Sequence, residues 1–168
     1  MSKNVKTEED RLIERDRMRF VKNSACANLC YLALLADVFY FVLLYQQDKS
    51  TYYYTIQIGA SVVYNLLFML IVFLASEAVK NYDKKYSIVL LLVGVMQVVR
   101  IFVIPTRAHN ATIVINEVET AVMSGGTYIL ALVFLIVSAA ALVLSAVLNY
   151  SRCTALEAHL KSLEDKQA

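Results

Sequence analysis

Residues 88–105 read IVLLLVGVMQVVRIFVIP, an apolar run that contains two polar side chains, Gln97 and Arg100. At a helical rise of 1.5 Å per residue, ~20 apolar residues cross the ~30 Å hydrocarbon layer of a bilayer. A charged side chain near the centre of that layer costs about 2.5–3.5 kcal/mol on insertion scales. The stretch therefore predicts a transmembrane helix, and it requires a buried partner for Arg100.

Three other stretches of the chain have the same apolar character. The sequence has 168 residues, of which 59% are hydrophobic and only 18% are charged, which is more apolar surface than one soluble core can bury. Backbone groups find no partners in lipid, so the spanning segments must be helices. We predict an all-α polytopic membrane protein with four transmembrane helices in an antiparallel bundle, spanning about residues 24–45, 54–76, 87–105 and 126–150.

The 16 lysines and arginines are unevenly distributed along the chain. Seven precede the first span, three follow the second and three follow the fourth, whereas the other two loops hold one each. Cytoplasmic loops carry the excess of positive charge in membrane proteins. Both termini are therefore predicted to be cytoplasmic, in a multi-pass protein of the plasma membrane.

Helical extensions are expected before and after the transmembrane domain along the chain. Residues 1–23 are predicted to form a charged helical tail, residues 24–150 the membrane domain and residues 151–168 an amphipathic helical tail. In the first tail, four basic side chains repeat at helical spacing and predict a face that contacts anionic lipid headgroups: Arg11, Arg15, Arg19 and Lys22. The alternative is an ordinary solvated helix, since acidic residues nearly balance these charges.

Asp37, in the first span, is the acidic residue placed to pair with Arg100. Each lies about 13 residues, or about 20 Å, from the predicted inner boundary of its span. Asn65 and Gln97 fall about 15–17 Å from the same boundary. Four polar groups from three helices thus share nearly one depth, which predicts a buried cluster built on an Asp37–Arg100 pair.

A second polar stripe leads towards this depth from the outer side of the second span. Gln57, Ser61 and Asn65 recur every four residues and so lie on one helix face. The long outer loop, residues 106–125, adds three side chains as a candidate mouth above Arg100: His109, Glu117 and Glu119. The alternative for these three is ordinary solvated loop charge.

The middle of that loop, residues 112–122, is rich in β-branched side chains. Val114, Val118, Ala121 and Val122 would form one apolar face of a helix at the membrane interface, and we predict this helix. The same residues are compatible with a short hairpin.

The fourth span carries a face of small residues, which comprises Thr127, Ala131, Ser138, Ala141 and Ser145. Small residues let transmembrane helices approach closely. This face predicts a homo-oligomer or contact with other membrane subunits, although it would also suit packing against the other three spans.

The motifs of several protein classes are missing from the sequence. With four glycines, two histidines and no catalytic signature, the chain offers no phosphate loop and no metal or cofactor site, and its basic residues lack the pattern of nucleic-acid binders. An intramembrane enzyme is disfavoured, because the spans hold one carboxylate and no activated nucleophile.

Two functional interpretations remain for the polar cluster. In the first, the chain is a non-catalytic packing or accessory subunit of a membrane assembly, and the Asp37–Arg100 cluster is structural. In the second, it is a small transporter, channel or receptor whose outward pocket ends at Arg100 and holds an anionic or polar ligand. The lipid bilayer is a partner in both.

Overall fold

The computed structural model describes residues 21–45, 52–115 and 118–167. These residues contain five helices and two strands, in chain order α1 (Ser24–Tyr45), α2 (Tyr52–Lys80), α3 (Lys85–Val103), α4 (Pro105–Asn110), β1 (Thr112–Ile115), β2 (Val118–Ala121) and α5 (Gly125–Gln167). Residues 1–20 of the predicted charged tail lie outside the described residues, and they include Arg11, Arg15 and Arg19. Lys22 is exposed just before α1.

Within the described residues, four segments are long and apolar enough to cross a membrane, which confirms the four predicted spans. They are Ser24–Leu44, Gly59–Lys80, Lys85–Asn110 and Gly125–Ser162. Large apolar side chains stay exposed on the outside of all four, such as Val42, Leu66, Ile88 and Ile129. A soluble monomer rarely exposes apolar surface on this scale, whereas lipid would cover it. These features indicate a multi-pass membrane protein.

The four long helices contact one another in a closed ring. α1 packs against α2 and α5, and α3 packs against the same two helices. Backbone contact closes one end of the ring, where the amide of Asn23 donates to the carbonyl of Lys80 at 3.0 Å. We refer to this as the Asn23 end, and to the opposite end, with α4 and the strands, as the hairpin end.

The helix that we predicted within residues 112–122 is wrong, because this segment forms an antiparallel hairpin. β1 pairs with β2 in the register Thr112 to Ala121 and Ile115 to Val118. All four residues of β1 are β-branched, and such side chains lose rotamer freedom in a helix but pack well on a pleated strand. Two positions of sequence separate Ile115 from Val118, and hairpins favour a spacing this short.

A break precedes the hairpin where α3 gives way to α4. Pro105 occupies the first turn of α4, where its missing N–H costs no helical hydrogen bond. α3 ends two residues earlier, at Val103.

The small-residue face of α5 is turned inward in the single chain. Ala131, Ser138, Ala141 and Ser145 are buried, and Ser145 donates to the carbonyl of Cys26 at 2.9 Å. Association of copies or other subunits through this face stays a prediction.

Gly94 marks a close approach of α3 to α5. A Cβ added at this position would lie 3.1 Å from Val143 Cγ2 and 3.5 Å from Leu142 Cβ. The two helices can therefore reach their observed separation because residue 94 has no side chain.

We expect Gly94→Leu to lower the melting temperature of the purified protein in detergent, because overpacking costs about 1–3 kcal/mol. Gly59→Leu is the matched control, since no described atom lies within 4 Å of the Cβ position there. Equal melting temperatures for the two variants would contradict the close α3–α5 contact.

Candidate functional site

Asp37 of α1 and Arg100 of α3 form an ion pair inside the helix ring. Arg100 Nη1 donates to Asp37 Oδ1 at 2.9 Å, and both side chains are buried. The pairing predicted from equal depth is confirmed. Buried ion pairs add little net stability, but removal of one partner typically costs about 3–5 kcal/mol. The pair therefore constrains where α1 lies relative to α3.

Gln97 connects this pair to α5. Its Nε2 donates to Asp37 Oδ1 at 3.0 Å and to Ser138 Oγ at 3.3 Å, while its Oε1 accepts from Arg100 Nη1 at 3.4 Å. Ser138 Oγ in turn donates to the carbonyl of Ala33 at 3.2 Å. The amide thus uses both its donor and acceptor atoms within the cluster.

Arg100 also connects the pair to α2. Its Nη2 donates to Asn65 Oδ1, and its Cζ lies 4.4 Å from the centre of the Tyr40 ring and 4.7 Å from that of Tyr64. Cation–π contacts of this kind contribute about 0.5–2 kcal/mol each. With these contacts, every long helix supplies a member of what we call the polar cluster: Asp37, Asn65, Gln97, Arg100 and Ser138.

The polar cluster separates two apolar clusters of the interior. The one towards the Asn23 end draws on α1, α2, α3 and α5 and includes Cys30, Ala33, Val72, Leu90 and Leu142. The one towards the hairpin end includes Tyr40, Leu44, Met123, Ala131 and Leu135. Apolar packing on both sides keeps the ion pair in a low-dielectric surrounding, where electrostatic contacts are strong and unpaired charges are costly.

Four buried polar atoms in the described part of the chain have no hydrogen-bond partner, and all four are in or beside the polar cluster. They are Asp37 Oδ2, Tyr40 OH, Asn65 Nδ2 and Arg100 Nε. A buried group left unsatisfied typically costs about 1–3 kcal/mol. The cluster therefore retains unused hydrogen-bonding capacity at its centre.

A cavity of about 310 Å³ reaches the polar cluster between α2 and α3. Its lining comprises Ala60, Ser61, Tyr64, Met96, Val99, Arg100, Val103 and Ile104. Apolar side chains form most of this lining, and Arg100 supplies its charge.

The remaining predicted site residues are placed as follows. Ser61 is buried and lines the cavity. Gln57 lies in α2, and its side chain falls outside the described part, as does residue Glu117. His109 stacks on the Tyr128 ring at 4.4 Å, and Glu119 is exposed on β2. The cavity lining comes from α2, α3 and Ile104, so the predicted role of the loop residues as a mouth stays a prediction.

A second polar network, which we did not predict from the sequence, lies at the Asn23 end. Asn149 Oδ1 accepts from Asn23 at 2.9 Å, and its Nδ2 donates to Ser87 Oγ at 2.8 Å and to the Asp83 carbonyl at 3.0 Å. Arg152 donates to Asn23 Oδ1 at 2.9 Å. These bonds tie α1, α3 and α5 together where α2 also ends.

Among the residues that the structure describes, no three His, Cys, Asp or Glu side chains are grouped to hold a metal ion. Comparisons with protein families, curated proteins and solved structures find no match to this chain. The geometry of the polar cluster is therefore the basis for any functional conclusion.

We expect Asp37→Ala to lower the free energy of unfolding by about 3–5 kcal/mol, because it leaves the Arg100 guanidinium buried without its carboxylate. Arg100→Ala should be similarly destabilising, while the double variant should recover much of the loss. The measurement is unfolding by SDS titration from detergent micelles. Arg107→Ala, at an exposed arginine in α4, is the control and should change little. Losses that simply add in the double variant would show that the two side chains are not coupled.

Proposed function

We propose that this chain is a non-catalytic integral membrane protein that serves as a packing or accessory subunit of a membrane assembly. The observation that carries the proposal is the polar cluster, which takes one or more side chains from every long helix around the 2.9 Å Asp37–Arg100 contact. Such a cluster fixes the relative position of four helices whose outer faces are apolar.

A need for unique helix positions explains why a polar centre is useful in lipid. Apolar side chains gain little by leaving lipid for a helix interface, so many apolar packings have similar free energies. A displaced helix would leave Asp37 or Arg100 unpaired, which is far more costly. The cluster therefore favours one arrangement over its alternatives, which is a register role that buried polar groups serve in other helical assemblies.

The proposal includes an antiparallel helix bundle in the plasma membrane, with both termini on the cytoplasmic side. Support comes from the charge distribution and from the Asn23 end, where the start of α1, the end of α2 and the start of α3 meet. This end also carries Lys80, Lys84 and Arg152, in agreement with the positive-inside rule.

Transport or polar ligand binding receives less support as the second interpretation. The cavity beside Arg100 has mostly apolar walls, and the interior from Phe68 to Val79 on the Asn23 side is an apolar cluster. Arg100 is also neutralised by Asp37, which weakens its attraction for an anion. The buried hydroxyls of Ser76 and Ser145 on that side donate to the backbone carbonyls of Phe73 and Cys26, so they support helix packing and not a continuous polar route.

The predicted orientation can be tested with single cysteines in a variant that lacks Cys26, Cys30 and Cys153. Arg107→Cys and Lys161→Cys both replace exposed basic residues. We expect a membrane-impermeant maleimide to label Arg107→Cys in intact cells and Lys161→Cys only after the membrane is permeabilised. The reverse pattern would overturn the proposed orientation.

The accessory role predicts that native membranes solubilised in mild detergent contain the chain in a complex larger than its own 18.9 kDa. Arg100→Ala should reduce the fraction in that complex, because the helices no longer hold one arrangement, and the Asp37→Ala, Arg100→Ala double variant should restore part of it. The measurement is native electrophoresis with an epitope tag. A purely monomeric wild-type chain would refute the proposal.

A further inference from the structure

The cavity between α2 and α3 opens sideways on the ring and not along its axis. Its walls include three residues whose side chains are about half exposed on the outer surface of α3, namely Met96, Val99 and Val103. On the α2 side, Ala60 is exposed and Ser61 is buried. The cavity is therefore a cleft that runs from the outer surface of the ring inward to Arg100.

This opening lies within two of the membrane-spanning segments. Ala60, Ser61 and Tyr64 belong to the span Gly59–Lys80, and the α3 residues belong to the span Lys85–Asn110. Molecules that reach the cleft from its open side therefore come from the lipid phase. An occupant must carry enough apolar surface to reside there and to fit walls that are mostly alkyl groups.

The inner end of the cleft adds a requirement for a hydrogen-bond acceptor. Arg100 is only 4% exposed, and its Nε–H has no partner among the described residues. The other guanidinium nitrogens are engaged by Asp37, Gln97 and Asn65. An oxygen at the inner end of the cleft would accept a hydrogen bond from this Nε–H.

Charge balance favours an uncharged acceptor. Asp37 already neutralises Arg100, so a phosphate or carboxylate would bring an uncompensated negative charge into a low-dielectric interior, at a high desolvation cost. An ester carbonyl or a hydroxyl accepts a hydrogen bond without that cost. A cleft of about 310 Å³ has the volume of about ten water molecules, enough for an oxygen-bearing group with part of an alkyl chain.

We propose that the α2–α3 cleft is a binding site for an uncharged glycerolipid of the bilayer, which inserts an ester or hydroxyl oxygen against Arg100 and lays alkyl carbons along Val99 and Val103. This site goes beyond the packing role proposed above, because the Asp37–Arg100 pair and its amide partners hold the helices whether or not the cleft is filled.

The test uses the full chain reconstituted in phosphatidylcholine vesicles that contain a trace of photoreactive lipid. The probe is a diacylglycerol with a diazirine on one acyl chain, and crosslinked peptides are identified by mass spectrometry. We expect labelling in residues 60–64 of α2 and 96–103 of α3. An oxygen-free alkane with the same diazirine should label these residues about fivefold less, since one neutral hydrogen bond is worth about that factor. A phosphatidic acid with the same diazirine keeps the ester oxygens but brings a negative charge, and it should also label less than the diacylglycerol because that charge is costly to desolvate.

Ala60→Phe should fill the mouth of the cleft and reduce diacylglycerol labelling of both segments about tenfold, a loss equivalent to about 1.4 kcal/mol. Ala140→Phe is the matched control, because Ala140 is also an exposed alanine on a spanning helix but lies on α5, away from the cleft. It should leave labelling unchanged. Both variants should melt at the wild-type temperature, which keeps this test separate from the packing role.

Three results would overturn the lipid site. Equal labelling of Ala60→Phe and the wild-type chain would show that the lipid does not enter the cleft. Equal labelling by the alkane would show that no oxygen is recognised at Arg100. Stronger labelling by phosphatidic acid would make the cleft an anion site. The packing role would survive each of these results, since it is judged by the coupled loss of stability in the Asp37 and Arg100 variants.

Discussion

A guanidinium at membrane depth must have its charge and its N–H groups satisfied by the protein, and the arrangement of this chain depends on that requirement. Arg100 contacts a carboxylate from α1, an amide from α2 and an amide from its own helix, and its Cζ lies 4.4 Å and 4.7 Å from the centres of two tyrosine rings. Each of these groups is useful only if its helix lies at one depth and one rotation. The contacts that Arg100 needs thus constrain the depth and rotation of three helices, α1, α2 and α3.

α5 is positioned against the other helices by small side chains and not by a charged group. Ser138 and Ser145 donate to backbone carbonyls of α1, and these bonds need a close approach of the two helices. On its other flank α5 approaches α3 at Gly94, where there is no side chain to hold them apart. The fourth helix is therefore placed by close backbone contact, and it joins the polar cluster through one hydroxyl.

Sequence reasoning found the spans and the ion pair because both follow from lengths counted along the chain. Asp37 and Arg100 could be matched by depth, since every helix rises by the same amount per residue. Tyr40 and Tyr64 could not be matched in this way, because contact with an aromatic face depends on helix rotation and side-chain direction. Tyr40 nevertheless carried a usable signal, since it follows Asp37 by three residues and so shares its helix face.

Two other features, the Asn149 network and the hairpin, were not predicted from the sequence. Asn149 stands near the predicted boundary of the fourth span, where a polar residue is ordinary, and its partners come from distant parts of the chain. The hairpin was misassigned because four apolar positions in residues 112–122 matched helical periodicity, while the run of β-branched residues in β1 favoured a strand. Over so short a segment, periodicity was weaker evidence than residue type.

α5 is continuous for 43 residues, about 64 Å, which is roughly twice the thickness of the hydrocarbon layer. About 15 Å of this helix extends beyond Glu157, whose carboxylate pairs with Lys84 Nζ at 2.8 Å and so ties α5 to the ring past Asn149. A continuous helix transmits its tilt along its whole length, so a rotation of about 10° at Glu157 would displace the far end by about 3 Å. A small change in how α5 packs against the other helices therefore becomes a larger displacement of its C-terminal end, outside the membrane-spanning ring.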